Sequence, residues 1–230
     1  MELYAIHIID EADFESFKDT LLNLLPVKQQ ERITLLKKPT DMQRSLLGEA
    51  MCRIFLSEKL KRKPHQIELF KSEKGKPFLK GNANLHFNIS HSGNWVIIGL
   101  DKNEIGVDVE NVRKMNYRIA QRFYSQEEYA ALNALEGEAK QKFFFKLWTI
   151  KESYLKFLGK GLTKSLGSFT VFEQDGNFRI KHENSLDENI FFKIYHADPE
   201  HLLAVCSNEN LFPKEITTLH IQELLKRADL

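Results

Sequence analysis

The chain has 230 residues, 42% hydrophobic and 28% charged, which suits one large or two small globular domains with a real core. Lys and Arg total 33 against 32 Asp and Glu, so the formal charge of +1 gives no bulk field for nucleic acid or an anionic membrane, and any anion site must be local. No apolar run approaches the roughly 20 residues of a membrane span; Met1-Glu2-Leu3-Tyr4 carries no basic leader, and Cys52 and Cys206 form no zinc or disulfide framework, so a soluble cytoplasmic protein is expected.

Leu3 to Ile9 predicts an opening strand. Phe14, Phe17, Leu21 and Leu25 recur at helical spacing, so a helix follows, and Pro26 ends it. A basic segment with Lys28, Arg32, Lys37 and Lys38 leads to Pro39 and Thr40, which open a longer helix carrying Arg44, Leu46, Ala50 and Ile54. From Ile67 to Glu110 the chain reads as a strand meander: Ile67–Phe70, a Gly75-Lys76-Pro77 turn, Leu85–Ile89, Trp95–Leu100 and Ile105–Glu110. Ser125-Gln126-Glu127-Glu128 is a capping box, and a long helix from about Ala139 to Leu158 closes at Gly159 and Gly161. Strands resume at Ser168–Phe172, Phe178–Lys181, Ile190–Tyr195 and Leu202–Cys206, and a tail ends in Ile221–Arg227. This order predicts an α+β fold of two similar halves, residues 1–104 and 105–230, with the tail from about 208 packing back on the first.

Ile105-Gly106-Val107-Asp108-Val109-Glu110 is the most informative stretch. In a strand Val107 and Val109 face one way, Asp108 and Glu110 the other, the two carboxylates roughly 6.6 Å apart. Beside an apolar face such a pair is costly unless something positive lies between them. A hard divalent cation, Mg²⁺ above all, takes oxygen ligands and shares them with substrate phosphates, which points to phosphate chemistry.

Trp148, Glu152 and Lys156 are four apart and line one face of the long helix. Alone, Glu152 and Lys156 are an ordinary surface pair, but the helix from Phe143 to Leu158 is too apolar to leave much solvated face. Glu152 is thus a third candidate carboxylate for the metal, and Lys156 a phosphate contact. Phe87-Asn88-Ile89-Ser90-His91-Ser92 ends a strand and offers hydroxyls, an imidazole and free amides to an anion; the plainer reading is a polar turn bonding its own backbone. A serine hydrolase is disfavoured because no glycine-flanked nucleophile elbow is present. Lys28, Arg32 and Arg44 are by default exposed helix charges, Lys76 a turn residue and Glu128 a cap.

Together these segments resemble the Sfp-type phosphopantetheinyl transferases. Gly106-Val107-Asp108-Val109-Glu110 matches that family's Gly-hydrophobic-Asp-hydrophobic-Glu segment, and Trp148-Thr149-Ile150-Lys151-Glu152-Ser153-Tyr154-Leu155-Lys156 its Trp-x-x-Lys-Glu-Ser/Ala-x-x-Lys segment. The turns with Gly75-Lys76-Pro77 and Asn88-Ile89-Ser90-His91-Ser92 follow in the family's order. The resemblance implies a monomer of two α+β halves related by a pseudo-two-fold axis, with coenzyme A in the cleft between them. It implies Mg²⁺ on Asp108, Glu110 and Glu152; phosphate contacts from Ser90, His91 and Lys156; Lys28 and Arg44 at the 3′-phosphate end; and Gly75, Lys76 and Pro77 beside the adenine. Where the family often has a second basic residue after Lys28, this chain has Glu31, with Arg32 beside it.

The activity implied is transfer of the phosphopantetheine arm to a serine of an acyl, peptidyl or aryl carrier domain, with Asp108, His91, Glu152 and Lys156 as the catalytic set. Glu152 is the preferred general base, and Glu128 with Lys151 the second choice. Residues 111–124, rich in Arg, aromatic and apolar side chains, are the expected docking segment. The rival readings are a binding module without turnover and another Mg²⁺-dependent phosphate hydrolase. Which carrier is served is not legible.

Overall fold

Two helices of 22 residues, each laid on a sheet, organise the molecule. The computed structural model describes residues 1–115, 117–159, 165–183 and 185–228. The chain begins β1 (Glu2–His7), α1 (Glu11–Asn23), α2 (Val27–Thr34) and α3 (Pro39–Leu60), and continues through β2 (Leu69–Lys71), β3 (Pro77–Leu79), β4 (His86–Ser92), β5 (Trp95–Asp101) and β6 (Ile105–Asn111). Then come α4 (Tyr117–Phe123), α5 (Gln126–Asn133), α6 (Gly137–Leu158), β7 (Thr170–Gln174), β8 (Asn177–His182), β9 (Ser185–Asp187), β10 (Phe191–Asp198), β11 (His201–Ser207), β12 (Thr217–Leu219) and α7 (Ile221–Ala228). No helix among the described residues is long and apolar enough to cross a membrane.

The α+β expectation holds, with two sheets at the centre. One runs β12-β1-β5-β4 and the other β10-β11-β6. Pro39 opens α3 at its first turn, and Leu46, Leu47, Ala50, Met51, Ile54 and Phe55 bury it in a core with Ile6, Val96 and Ile98 of the first sheet. Leu147, Ile150, Tyr154 and Leu155 bury α6 against Ala204 and Cys206 of the second. A third cluster, with Leu3, Ala5, Ile97, Val107, Val109 and Val205, fills the space between the sheets. The order is therefore helix, sheet, sheet, helix. Cys52 and Cys206 are free, buried thiols, one in each half of this stack.

The predicted meander breaks in two places. β2 and β3 form a hairpin of their own, and β6 leaves the first sheet to pair antiparallel with β11, Val107 opposite Val205. No backbone ladder joins β4 to β6. Short side chains of β4 reach across instead: Asn88 Oδ1 accepts Val107 N–H at 2.9 Å, and Ser90 and Ser92 Oγ accept Val109 and Asn111 N–H at 3.2 Å each. Alternate residues of one strand satisfy alternate amides of the next, so buried donors find partners without a shared sheet. Ser90-His91-Ser92 accordingly lies on the strand, and the turn begins only at Gly93, where φ is +54°. In the tail, β12 adds parallel to β1, and Leu224 of α7 is buried in the α3 core. Gly161, expected to help end the long helix, lies outside the described residues; Gly159 at φ +63° caps it.

Candidate active site

The glycine of the Gly-Val-Asp-Val-Glu stretch sets the geometry. A Cβ on Gly106 would stand 2.0 Å from Ser153 O and 2.4 Å from Phe157 N, so only glycine lets α6 lie this close on β6. That approach brings Glu152 and Lys156 over Asp108 and Glu110. These four, with Ser90 and His91 of β4, border a cavity of about 430 Å³ whose other wall is Phe123, Trp148 and Leu166.

Lys156 Nζ donates to Asp108 Oδ1 at 2.7 Å and to Ser90 Oγ at 2.8 Å, and Ser90 Oγ donates to the same Oδ1 at 3.0 Å. Asp108 Oδ2 is buried without a partner. Glu110 is held at both oxygens, by Ser92 Oγ and Trp148 Nε1 at 3.1 Å each. Burial raises the pKa of Asp108 despite Lys156 and Ser90, and burial with the Asp108 charge raises that of Glu110. Glu152 is pushed up to about 7, first by burial, then by Asp108, with Lys156 opposing. His91 is exposed on the face of β4 toward α3, yet partial desolvation and the charges of Arg44 and Lys156 hold its imidazole below the usual value.

Among the described residues no three His, Cys, Asp or Glu side chains already form a metal cage. The donor set nonetheless fits a hard cation. Three carboxylates border one cavity, one buried oxygen is orphaned, and burial raises all three proton affinities.

A second cavity, of about 500 Å³, lies further along β4 at His86 and Phe87. Lys76 and Pro77 line it, together with Phe157 and Leu158 at the end of α6. Lys76 is more than a turn residue: Nζ pairs with Glu104 at 2.6 Å and donates at 3.1 Å to Phe157 O, one of the carbonyls a helix end leaves open. Gly75 shapes the hairpin at φ +86° but does not line this cavity. Arg44 donates to Gly93 O at 2.6 Å and pairs with Asp41. Lys28 is exposed on α2 and lines neither cavity, while Arg32 is engaged by Glu49 at 3.0 Å. A larger groove, of about 1160 Å³, runs between the end of α3 and α7, far from the carboxylates, so size does not mark the site.

Of the 111–124 segment, Arg113, Lys114, Arg118 and Arg122 are exposed, and Phe123 meets Trp148 edge-on at 5.9 Å on the cavity rim. Asn116 and the side chain of Tyr117 lie outside the described residues. Sequence reasoning missed Ser92 and Trp148 as holders of Glu110. The polar alternation Asn88, Ser90, Ser92 was the available signal: polar groups every second residue on a strand need polar partners on a neighbour.

Family models match in two blocks. The 4'-phosphopantetheinyl transferase superfamily matches residues 104–206, and the N-terminal part of 4'-phosphopantetheinyl transferases matches residues 13–103. The 4'-phosphopantetheinyl transferase Sfp of Bacillus subtilis (strain 168) is 34% identical over 226 residues, 98% of this chain and 100% of that protein. The 4'-phosphopantetheinyl transferase ffp of Bacillus subtilis is 34% identical over 229 residues, again 98% and 100%. Among solved structures, a holo-(acyl-carrier-protein) synthase from Bacillus anthracis str. Ames in complex with CoA (3',5'-ADP) is similar at a TM-score of 0.40 and 23% identity, over 45% of this chain and 92% of that one.

Proposed function

The chain belongs to the 4'-phosphopantetheinyl transferase superfamily, and from that premise we propose how its residues move the phosphopantetheine arm of coenzyme A onto a serine of an apo carrier protein. The observation that carries the reading is the cavity where Asp108, Glu110 and Glu152 meet the Lys156–Ser90 edge. An arrangement of three carboxylates and a lysine suits a pyrophosphate bridged by a divalent cation, and suits neither an apolar ligand nor an isolated anion.

In this reading the pyrophosphate lies against Ser90, His91 and Lys156, and the adenine end points along β4 to the cavity walled by Lys76 and Pro77. Arg44, beside His91, serves the 3′-phosphate; the part of Lys28 there rests on the family resemblance alone. Asp108, Glu110 and Glu152 are the residues that would hold Mg²⁺, which when bound neutralises charge on the phosphate oxygens. The carrier serine attacks the phosphorus that bears the pantetheine arm. A new P–O bond forms, the bond to the other phosphate breaks, and adenosine 3′,5′-bisphosphate leaves. Glu152 takes the serine proton, a role supported by its place on the cavity wall beside Asp108 and Lys156. Lys156 and His91 meet the charge gathering on the leaving phosphate, so catalysis is mostly positioning and neutralisation. The exposed cations of residues 111–124, with Arg122 over the ring of Phe123 on the cavity wall, suit an acidic carrier domain, and one complete cleft per chain suits a monomer.

Incubation with coenzyme A, Mg²⁺ and an apo carrier, read by mass spectrometry, should add about 340 Da to the carrier at one serine, the mass of the arm. Coenzyme A bound with no carrier modification would leave only a binding module. Coenzyme A cleaved without a carrier would make the protein a hydrolase.

A further inference from the structure

Ser92 does two things with one oxygen. Its Oγ accepts Asn111 N–H at 3.2 Å and donates its own proton to Glu110 Oε2 at 3.1 Å. The accepted bond fixes how the hydroxyl is turned, and so fixes where its proton points. Ser90 repeats the pattern one pleat earlier, accepting from Val109 N–H and donating to Asp108. Asn88 repeats only the first half: it accepts from Val107 N–H, and the preceding residue of β6 is Gly106, which has no side chain to receive anything. Along the seam, wherever β6 carries a carboxylate, β4 carries a hydroxyl that can both accept and donate. Where β6 carries glycine, an amide oxygen suffices.

We propose that Ser92 is a positioning residue. Anchored on the Asn111 amide, and opposite Trp148 on the other oxygen, it aims the Glu110 carboxylate into the cavity shared with Asp108 and Glu152, and thereby sets the affinity of that trio for a divalent cation. Hydrogen bonds of this kind behind a metal ligand commonly control affinity by 10- to 100-fold, of the order ~10 expected here. Ser90 cannot isolate the effect because it also touches Lys156. The inference rests on the metal reading of the previous section.

The probe is Mn²⁺, followed by the electron paramagnetic resonance signal of the free ion in the presence of coenzyme A. The full chain is compared with its Ser92→Ala, Ser92→Thr and Asn88→Ala variants. Ser92→Ala should weaken Mn²⁺ binding about tenfold and lower kcat, with KM for coenzyme A unchanged. Ser92→Thr, which keeps the hydroxyl, should restore affinity to within about twofold of the parent. Asn88→Ala loses an equivalent seam bond and should lower Tm without weakening Mn²⁺. Should Ser92→Ala not fold, Ser92→Cys, a weaker donor in the same place, should show a smaller loss of affinity in the same direction. Unchanged Mn²⁺ affinity in Ser92→Ala, or an equal loss in Asn88→Ala, overturns the proposal while leaving the transferase reading intact. A parent protein that binds no Mn²⁺ removes the metal reading and this inference with it.

Discussion

Two of the lysines of helix α6, Lys151 and Lys156, each face a carboxylate on another element. The two pairs are opposites. Lys151 and Glu128 have side chains 0% and 1% exposed, and their hydrogen bonds form a closed set. Lys151 Nζ meets Glu128 Oε1 at 2.9 Å, Leu166 O at 2.7 Å and Phe169 O at 2.8 Å, while Glu128 accepts Ser125 N–H at 2.8 Å and Val171 N–H at 2.7 Å. Lys156 is 29% exposed, and its partner Asp108 keeps one buried oxygen empty beside two further carboxylates. A closed pair is architecture: it ties α5, α6 and the 166–171 segment together. The open pair has unmet demand, and unmet demand inside a cavity is what a ligand satisfies. Glu128, the second choice as general base on sequence alone, borders neither seam cavity and has both oxygens occupied.

The sharpest way to break this contrast is to remove one member of each pair. Lys151→Met leaves Glu128 charged and buried without its partner and should cost about 3–5 kcal/mol of stability, read as the shift in a urea unfolding midpoint. Lys156→Met should instead cost little stability and reduce kcat/KM for transfer by about 10²- to 10³-fold, the scale for losing a preorganised charge at the reacting phosphates. If Lys156→Met unfolds the protein as severely as Lys151→Met, the distinction fails. The smallest effect lies in pH. The pKa of Glu152 rises from 4.5 in the unfolded chain to about 7 in the fold, so between those values the folded protein holds a proton that the unfolded chain releases. Metal-free stability should therefore fall as pH rises through that window. Allowing for partial exposure, the contribution is about 1–2 kcal/mol, and Glu152→Gln should flatten the profile. A parallel profile in the variant would place the unmet charge elsewhere.

The site was legible in the sequence to the extent that its chemistry is local. Asp108 and Glu110 share a strand face by the alternation of extended chain, and Trp148, Glu152 and Lys156 share a helix face by its turn. Sheet membership was not legible. The choice of β11 over β4 as partner for β6 is made by contacts such as Val107 with Val205, far apart in sequence, which no window of residues contains. Strands β9 and β12 are three residues each, too short for a period to register. Ser92 was read as a turn residue because serine and glycine adjoin there, and its bonds run to Glu110 and Asn111 rather than to its own backbone.

Gly106 inverts the usual ranking of an active site. The charged side chains around the cavity are its most conspicuous members. The position that tolerates nothing larger is the one that contributes no functional group: with Ser153 O only 2.0 Å from where a methyl carbon would go, even alanine would lever the helix away from the strand. Two acids would then part company from the third, and the cavity they share would come apart through the addition of a single carbon.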